Sequence, residues 1–217
     1  MIKELLDVLP QDNIKNPYGF PNYYGVRLPI LRDIAKKIVK EKRYEYFNEK
    51  HSSFEELTIH AYAIGYLKED IDICLKYLKE FIPLVNNWSV SDSVCQNMKF
   101  ARKYPKEVFE FLRSFKDSEN EWEIRIVAVT MLSHFLNDDY IDEVIEILDK
   151  LNRPSYMAKM GIAWAFATIM AKYEDKMFIY LKDSSLDDWT FNKAISKMNE
   201  SFRVSSIAKE KLSVMKR

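Results

Sequence analysis

Asn87–Cys95, "NWSVSDSVC", can be written in register with four other stretches: "SFEELTIHA" (53–61), "EWEIRIVAV" (121–129), "SYMAKMGIA" (155–163) and "WTFNKAISK" (189–197). Each opens a segment with apolar residues at helical spacing, and successive starts lie 34 residues apart. Second helical segments fill the intervals, closed by the short polar breaks "KED", "KYP", "LNDD" and "LNRP". Helices are expected over 2–9, 28–41, 53–67, 70–81, 87–102, 105–115, 121–136, 140–151, 154–172, 175–182, 188–199 and 203–215. A regular succession of helix–turn–helix units marks an α-solenoid, because one pair can bury its apolar face only against the next. The tetratricopeptide signature residues are missing. The expected fold is therefore all-α: a curved HEAT-like α-solenoid of helix pairs with a ~34-residue period, forming a single domain over 1–217.

Composition agrees with that class. The 217 residues are 47% hydrophobic and 30% charged, the balance of a globular chain rather than a disordered one. Of seven prolines, all but Pro83, Pro105 and Pro154 fall within the first 29 residues, so the remainder is free to be helical. Cys74 and Cys95 show no CxxC or Cys/His spacing and read as free thiols in a reducing compartment. With no apolar run of 18 residues and no secretion-signal pattern in "MIKELLDVLPQD", a cytoplasmic protein without membrane contact is expected. His51, His60 and His134 are scattered and the four glycines isolated, so neither a metal, a nucleotide loop nor any cofactor is expected. Nothing suggests oligomerisation, and a monomer is expected. Thirty-three acidic and 33 basic residues cancel, which excludes nucleic-acid binding by bulk charge but leaves room for a local basic stripe.

The register sorts individual residues. Its second column holds Phe54, Trp88, Trp122, Tyr156 and Thr190, an aromatic habit that reads as packing. Another column holds Thr58, Asp92, Ile126, Met160 and Ala194. A carboxylate there costs desolvation unless it is partnered or faces a cavity, so Asp92 is a candidate site residue, with an exposed helix turn as the plainer alternative. The column just before it runs Leu57, Ser91, Arg125, Lys159 and Lys193, and Lys197 extends it by one turn. Cations repeated in register read either as a solvated face or as a track for a polyanion, and Trp88, Asp92 and Trp164 beside them favour the track. Met157, Met160, Met170 and Met177 read as core filler, and "SFRVS" and "YPKE" as surface helix ends.

"YYGVRLPILRDIAKKI", "NNWSVSDS", "EIRIVAVTML" and "KMGIAWAFATI", in that order between Tyr23 and Phe202, resemble the DNA alkylation repair proteins of the AlkD type. The resemblance implies a DNA glycosylase that hydrolyses the N-glycosidic bond of N3- and N7-alkylated purines in duplex DNA held on a concave face. It assigns Trp88 and Asp92 to the family's "WxxxD" pair, Arg125 to its arginine and Trp164 to its second tryptophan. Asp92 would stabilise an oxocarbenium-like sugar and guide water, and Trp88 and Trp164 would offer π faces to the cationic lesion. Arg125, Lys159, Lys193 and Lys197 would hold phosphates. The family pattern carries a basic residue soon after the second tryptophan, where this chain has Ala167. Tyr23 and Tyr24 would either staple the first repeat or reach the minor groove. The alternative function is a catalytically silent HEAT-like module that binds damaged or branched nucleic acid, or a protein.

Overall fold

Capping by short polar side chains sets the frame of the chain, whose computed structural model describes residues 6, 7, 9, 16, 22–151 and 153–217. Among these every regular element is helical, apart from an isolated bridge between Asn22 and Ser53. The helix expected over 2–9 lies outside the described residues except at Leu6 and Asp7, which are helical. The chain forms two compact units, Met1–Pro105 and Lys106–Arg217.

The first unit carries α1 (Leu28–Lys40), a 3-10 turn (Tyr44–Asn48), α2 (Phe54–Gly65), α3 (Ile71–Phe81), α4 (Trp88–Asn97) and the single-turn α5 (Phe100–Lys103). Helix α2 packs against α1, α3 and α4. Enclosed in this way, all twelve of its residues are buried. Its start is a full capping box: Ser53 Oγ accepts from Glu56 N at 3.1 Å, and Glu56 Oε2 accepts from Ser53 N at 2.9 Å. Burial raises the Glu56 carboxyl, but hydrogen bonds from Ser52 and Ser53 outweigh it and hold the group below its ordinary value. Ahead of α1, the amides of Tyr24 and Gly25 donate to Glu55 Oε1 at 3.0 and 2.8 Å, and the Tyr23 ring lies 5.8 Å from Phe54. Gly25, at φ 72°, supplies the left-handed turn that aims both amides at one oxygen. The two tyrosines thus staple the entering chain to α2.

The second unit carries α6 (Pro105–Arg113), α7 (Glu121–His134), α8 (Ile141–Lys150), α9 (Tyr156–Met170), α10 (Glu174–Lys182), α11 (Asp188–Glu200) and α12 (Ser206–Ser213). Here α9 packs between α7 and α11, and α12 closes on α11. Two helix types alternate. Helices such as α7 and α9 are buried on most sides, whereas α8 buries only Ile141, Val144, Ile147 and Leu148, a stripe at the helical period. Each such side chain removed from water contributes about 1.5–3 kcal/mol before entropy is charged. The starts of α2, α4, α7, α9 and α11 are capped by Ser53, Asn87, Asn120, Ser155 and Asp187. All five side chains accept from amides one to two residues inside the helix.

Three helix bounds depart from expectation. The single helix expected over 87–102 breaks, because Met98 leaves helical geometry at ψ 80°. Lys99 N then donates to Gly65 O at 2.9 Å, across to α2. Gly65 makes room for this join: a Cβ there would lie 2.9 Å from the Asn97 backbone. At the C-terminus, α12 begins at Ser206 rather than 203, because Ser205 is its cap. The 3-10 turn at Tyr44–Asn48 falls where no helix was expected. Met170 and Met177 are core residues, while Met157 and Met160 are only partly covered. Cys74 and Cys95 are free and buried, and burial pushes the Cys74 thiol up to about 11.

Candidate nucleic-acid interface

Asn87 Oδ1 accepts from Ser89 N at 3.0 Å and Val90 N at 3.1 Å, which starts α4 at Trp88. Residues 88 and 92 are then one turn apart on the same helix face. Their environments differ sharply: Trp88 is 45% exposed, while Asp92 is 7% exposed. A sheltered carboxylate thus shares a helix face with an open indole, one turn in from a capped helix start. The packing expected for the aromatic column fails here. Phe54 and Thr190 are buried, but Trp88 and Tyr156 stand out from the protein, although Phe54, Trp88 and Tyr156 all open their helices.

In the second unit, Arg125 on α7 is 6% exposed. Its Nη1 donates to Met157 O at 3.1 Å, and its stem runs beside Gly161, where an added Cβ would meet Arg125 Cγ at 3.4 Å. Gly161 therefore lies against the stem of the Arg125 side chain. Lys193 and Lys197 lie one turn apart on α11. Burial lowers the Lys197 pKa most, and the positive charges of Lys193 and Arg125 lower it further against Glu200. These three cations therefore share one field. Lys159 is committed elsewhere: its ammonium contacts Asp187 Oδ1 at 3.0 Å and sits 5.7 Å from the centre of the Trp189 ring. Burial raises Asp187, yet donors from Thr190 and Lys159 bring it down to about 2. The in-register cations are thus not equivalent; one of them anchors the cap of α11.

Trp164, Ala167 and Thr168 of α9 line a hollow of about 180 Å³ with Lys197 and Glu200 of α11 and with Ser201 and Arg203 just after it. Ala167 leaves the wall open where a longer side chain would fill it, and Lys197 and Arg203 supply positive charge from the neighbouring segment. Arg203 was passed over in the sequence, where "SFRVS" reads as a surface end; nothing in its spacing signals that the turn after α11 folds back beside Trp164. Tyr156 and Trp189, exposed by 59% and 42% with ring centres 5.8 Å apart, form an open aromatic pair, of which the register had read only Tyr156, as packing.

The histidines are less scattered than their numbering suggests. His51 and His60 pack with ring centres 4.8 Å apart, and burial, reinforced by His51, drives His60 down to about 3. Among the described residues no group of three His, Cys, Asp or Glu could hold a metal ion, and no helix is long and apolar enough to cross a membrane.

Comparison with curated proteins and with solved structures gives no match. A family model described as "DNA alkylation repair enzyme" matches residues 18–198, a span that holds the Trp88–Asp92 pair, Arg125, Trp164 and the cations of α9 and α11. A match over most of the chain, on helices whose caps and buried faces set out those residues, makes this protein a member of the DNA alkylation repair enzyme family.

Proposed function

We propose that the protein is a DNA glycosylase that removes N3- and N7-alkylated purines from duplex DNA by hydrolysing the N-glycosidic bond. Membership of a DNA alkylation repair family supports DNA as the substrate. The observation that carries the chemistry is the sheltered Asp92 carboxylate sharing one face of α4 with the open Trp88 indole.

An N-alkylated purine already bears positive charge, so its glycosidic bond is weak and the leaving base needs no strong acid. The demand that remains is stabilisation of the oxocarbenium-like sugar and delivery of water, and one ionised carboxylate meets both. Trp88 and Trp164 offer π faces to a cationic base or sugar, each worth about 0.5–2 kcal/mol. Arg125, Lys193 and Lys197 neutralise phosphates and hold the duplex without reading its sequence, and Lys159 joins them when its pairing with Asp187 is exchanged for a phosphate. In this reading the helix pairs form a HEAT-like stack with a ~34-residue period, and its concave face takes the duplex as a monomer.

The test is incubation of the protein with duplex DNA carrying 7-methylguanine or 3-methyladenine, followed by chromatography for free base. Release above the spontaneous rate is the expected result. Salt-sensitive duplex binding without release would instead favour the silent binding module.

A further inference from the structure

A second concentration of positive charge lies in the first unit, on residues given no role above. The C-terminal ends of α1, α2 and α4 meet around a hollow of about 490 Å³ lined by Lys36, Lys40, Lys42, Lys68 and Lys99, which come from three separate stretches of the chain. Its one carboxylate, Glu69, is occupied: Tyr44 Oη donates to it at 2.7 Å and Lys42 Nζ lies 3.5 Å away. Lys36 pairs with Asp33 at 2.9 Å. Among the described residues no carboxylate pairs with Lys40, Lys68 or Lys99, all three exposed, and Lys99 rests on the Tyr66 ring at 5.0 Å.

The plain explanation is that lysines offset the negative ends of helices. One cation per helix end suffices for that, and α1 already has Lys37 in its last turn, outside the hollow. Lys40, Lys68 and Lys99, the three without a carboxylate partner, leave net positive charge on this concavity that a bound anion would neutralise. Two tyrosine rings, Tyr44 and Tyr66, form its apolar wall.

We propose that this hollow binds clustered phosphate groups, supplied by the DNA backbone or by a free oligophosphate. The DNA source rests on the function proposed above. Lys99 lies two residues past the end of α4, and the five residues from Asp92 to Asn97 rise by about 7.5 Å, so a strand whose sugar faces Asp92 has neighbouring phosphates within reach of the hollow.

The experiment compares wild type with Lys40→Gln/Lys68→Gln/Lys99→Gln, and with a charge-matched control, Lys182→Gln/Lys211→Gln/Lys216→Gln. Fluorescence anisotropy gives the affinity for unmodified duplex across a salt series, and thermal unfolding reports stabilisation by inorganic pyrophosphate. If DNA phosphates fill the hollow, the slope of log K against log salt falls by about two to three in the first variant and by less than one in the control. Should pyrophosphate raise the Tm of wild type but not of the first variant, with equal duplex slopes, the source is a free oligophosphate. The double variant Lys40→Gln/Lys68→Gln, which leaves Lys99 on Tyr66, repeats the comparison if the triple variant is unstable. Equal slopes and equal pyrophosphate response in wild type and variants overturn the proposal. Absence of base release by wild type defeats the glycosylase reading alone, since both binding readouts stay interpretable.

Discussion

Trp88 and Asp92 are one helical turn apart, yet one is open and the other sheltered. The register of the sequence singled out Asp92 because it breaks the chemistry of its column, and Arg125 because it opens a run of cations in its own, and both are buried in the structure. It misjudged Trp88, since an aromatic at a helix start looks the same in a sequence whether the chain ahead covers it or leaves it bare. Trp88 is nearly half exposed, so Trp88→Ala is expected to lower Tm by no more than about 5 °C while affinity for alkylated duplex falls roughly 3–30-fold; a larger loss of Tm would mean that the indole is structural. His60 gives a sharper residue-scale test. Its folded pKa of about 3 lies below the ordinary 6.5, so the unfolded chain takes up a proton first as pH falls. Stability is therefore whole above pH 6.5 and is lost between 6.5 and about 3. The loss from this group is about 2 kcal/mol by pH 5. Urea midpoints at pH 7 and 5 should converge in His60→Phe, which can still pack on Phe47 and Phe81; an undiminished pH dependence in that variant would assign the acid sensitivity elsewhere.

At the scale of elements, helices were readable where polar caps and apolar stripes coincide, as in α8 with Ile141, Val144, Ile147 and Leu148. The break at Met98 was not readable, because its cause lies in another helix: Gly65, more than thirty residues earlier, brings the end of α4 against α2. This contact makes Gly65→Ala destabilising by about 1–3 kcal/mol, since the obstructing atoms are backbone. Gly161→Ala meets Arg125 Cγ at 3.4 Å and Ala128 Cβ at 3.6 Å, near ordinary contact. There the helix preference for Ala, about 0.5–1 kcal/mol, should make the change neutral or mildly stabilising. Chemical denaturation of the two variants compares them directly, and equal losses would contradict the packing described. Asn87→Ala is expected to cost about 1 kcal/mol by uncapping α4, whereas Asn87→Asp keeps an acceptor and should lose little.

On the scale of the molecule, a net charge of zero conceals local order. Arg125, Lys193 and Lys197 share a field in the second unit, and five lysines converge in the first. The former are spaced by the register and were legible; the latter come from three stretches far apart in the sequence, and only folding gathers them. Family membership over 18–198 accounts for the class of work, DNA alkylation repair. The central claim concerns the Asp92 carboxylate, and single-turnover base release from 7-methylguanine duplex by wild type and Asp92→Asn tests it most directly. The variant keeps the side chain's size and removes its charge, so the rate should fall at least about 100-fold while duplex affinity stays equal or rises. A variant that releases base at the wild-type rate would contradict the claim.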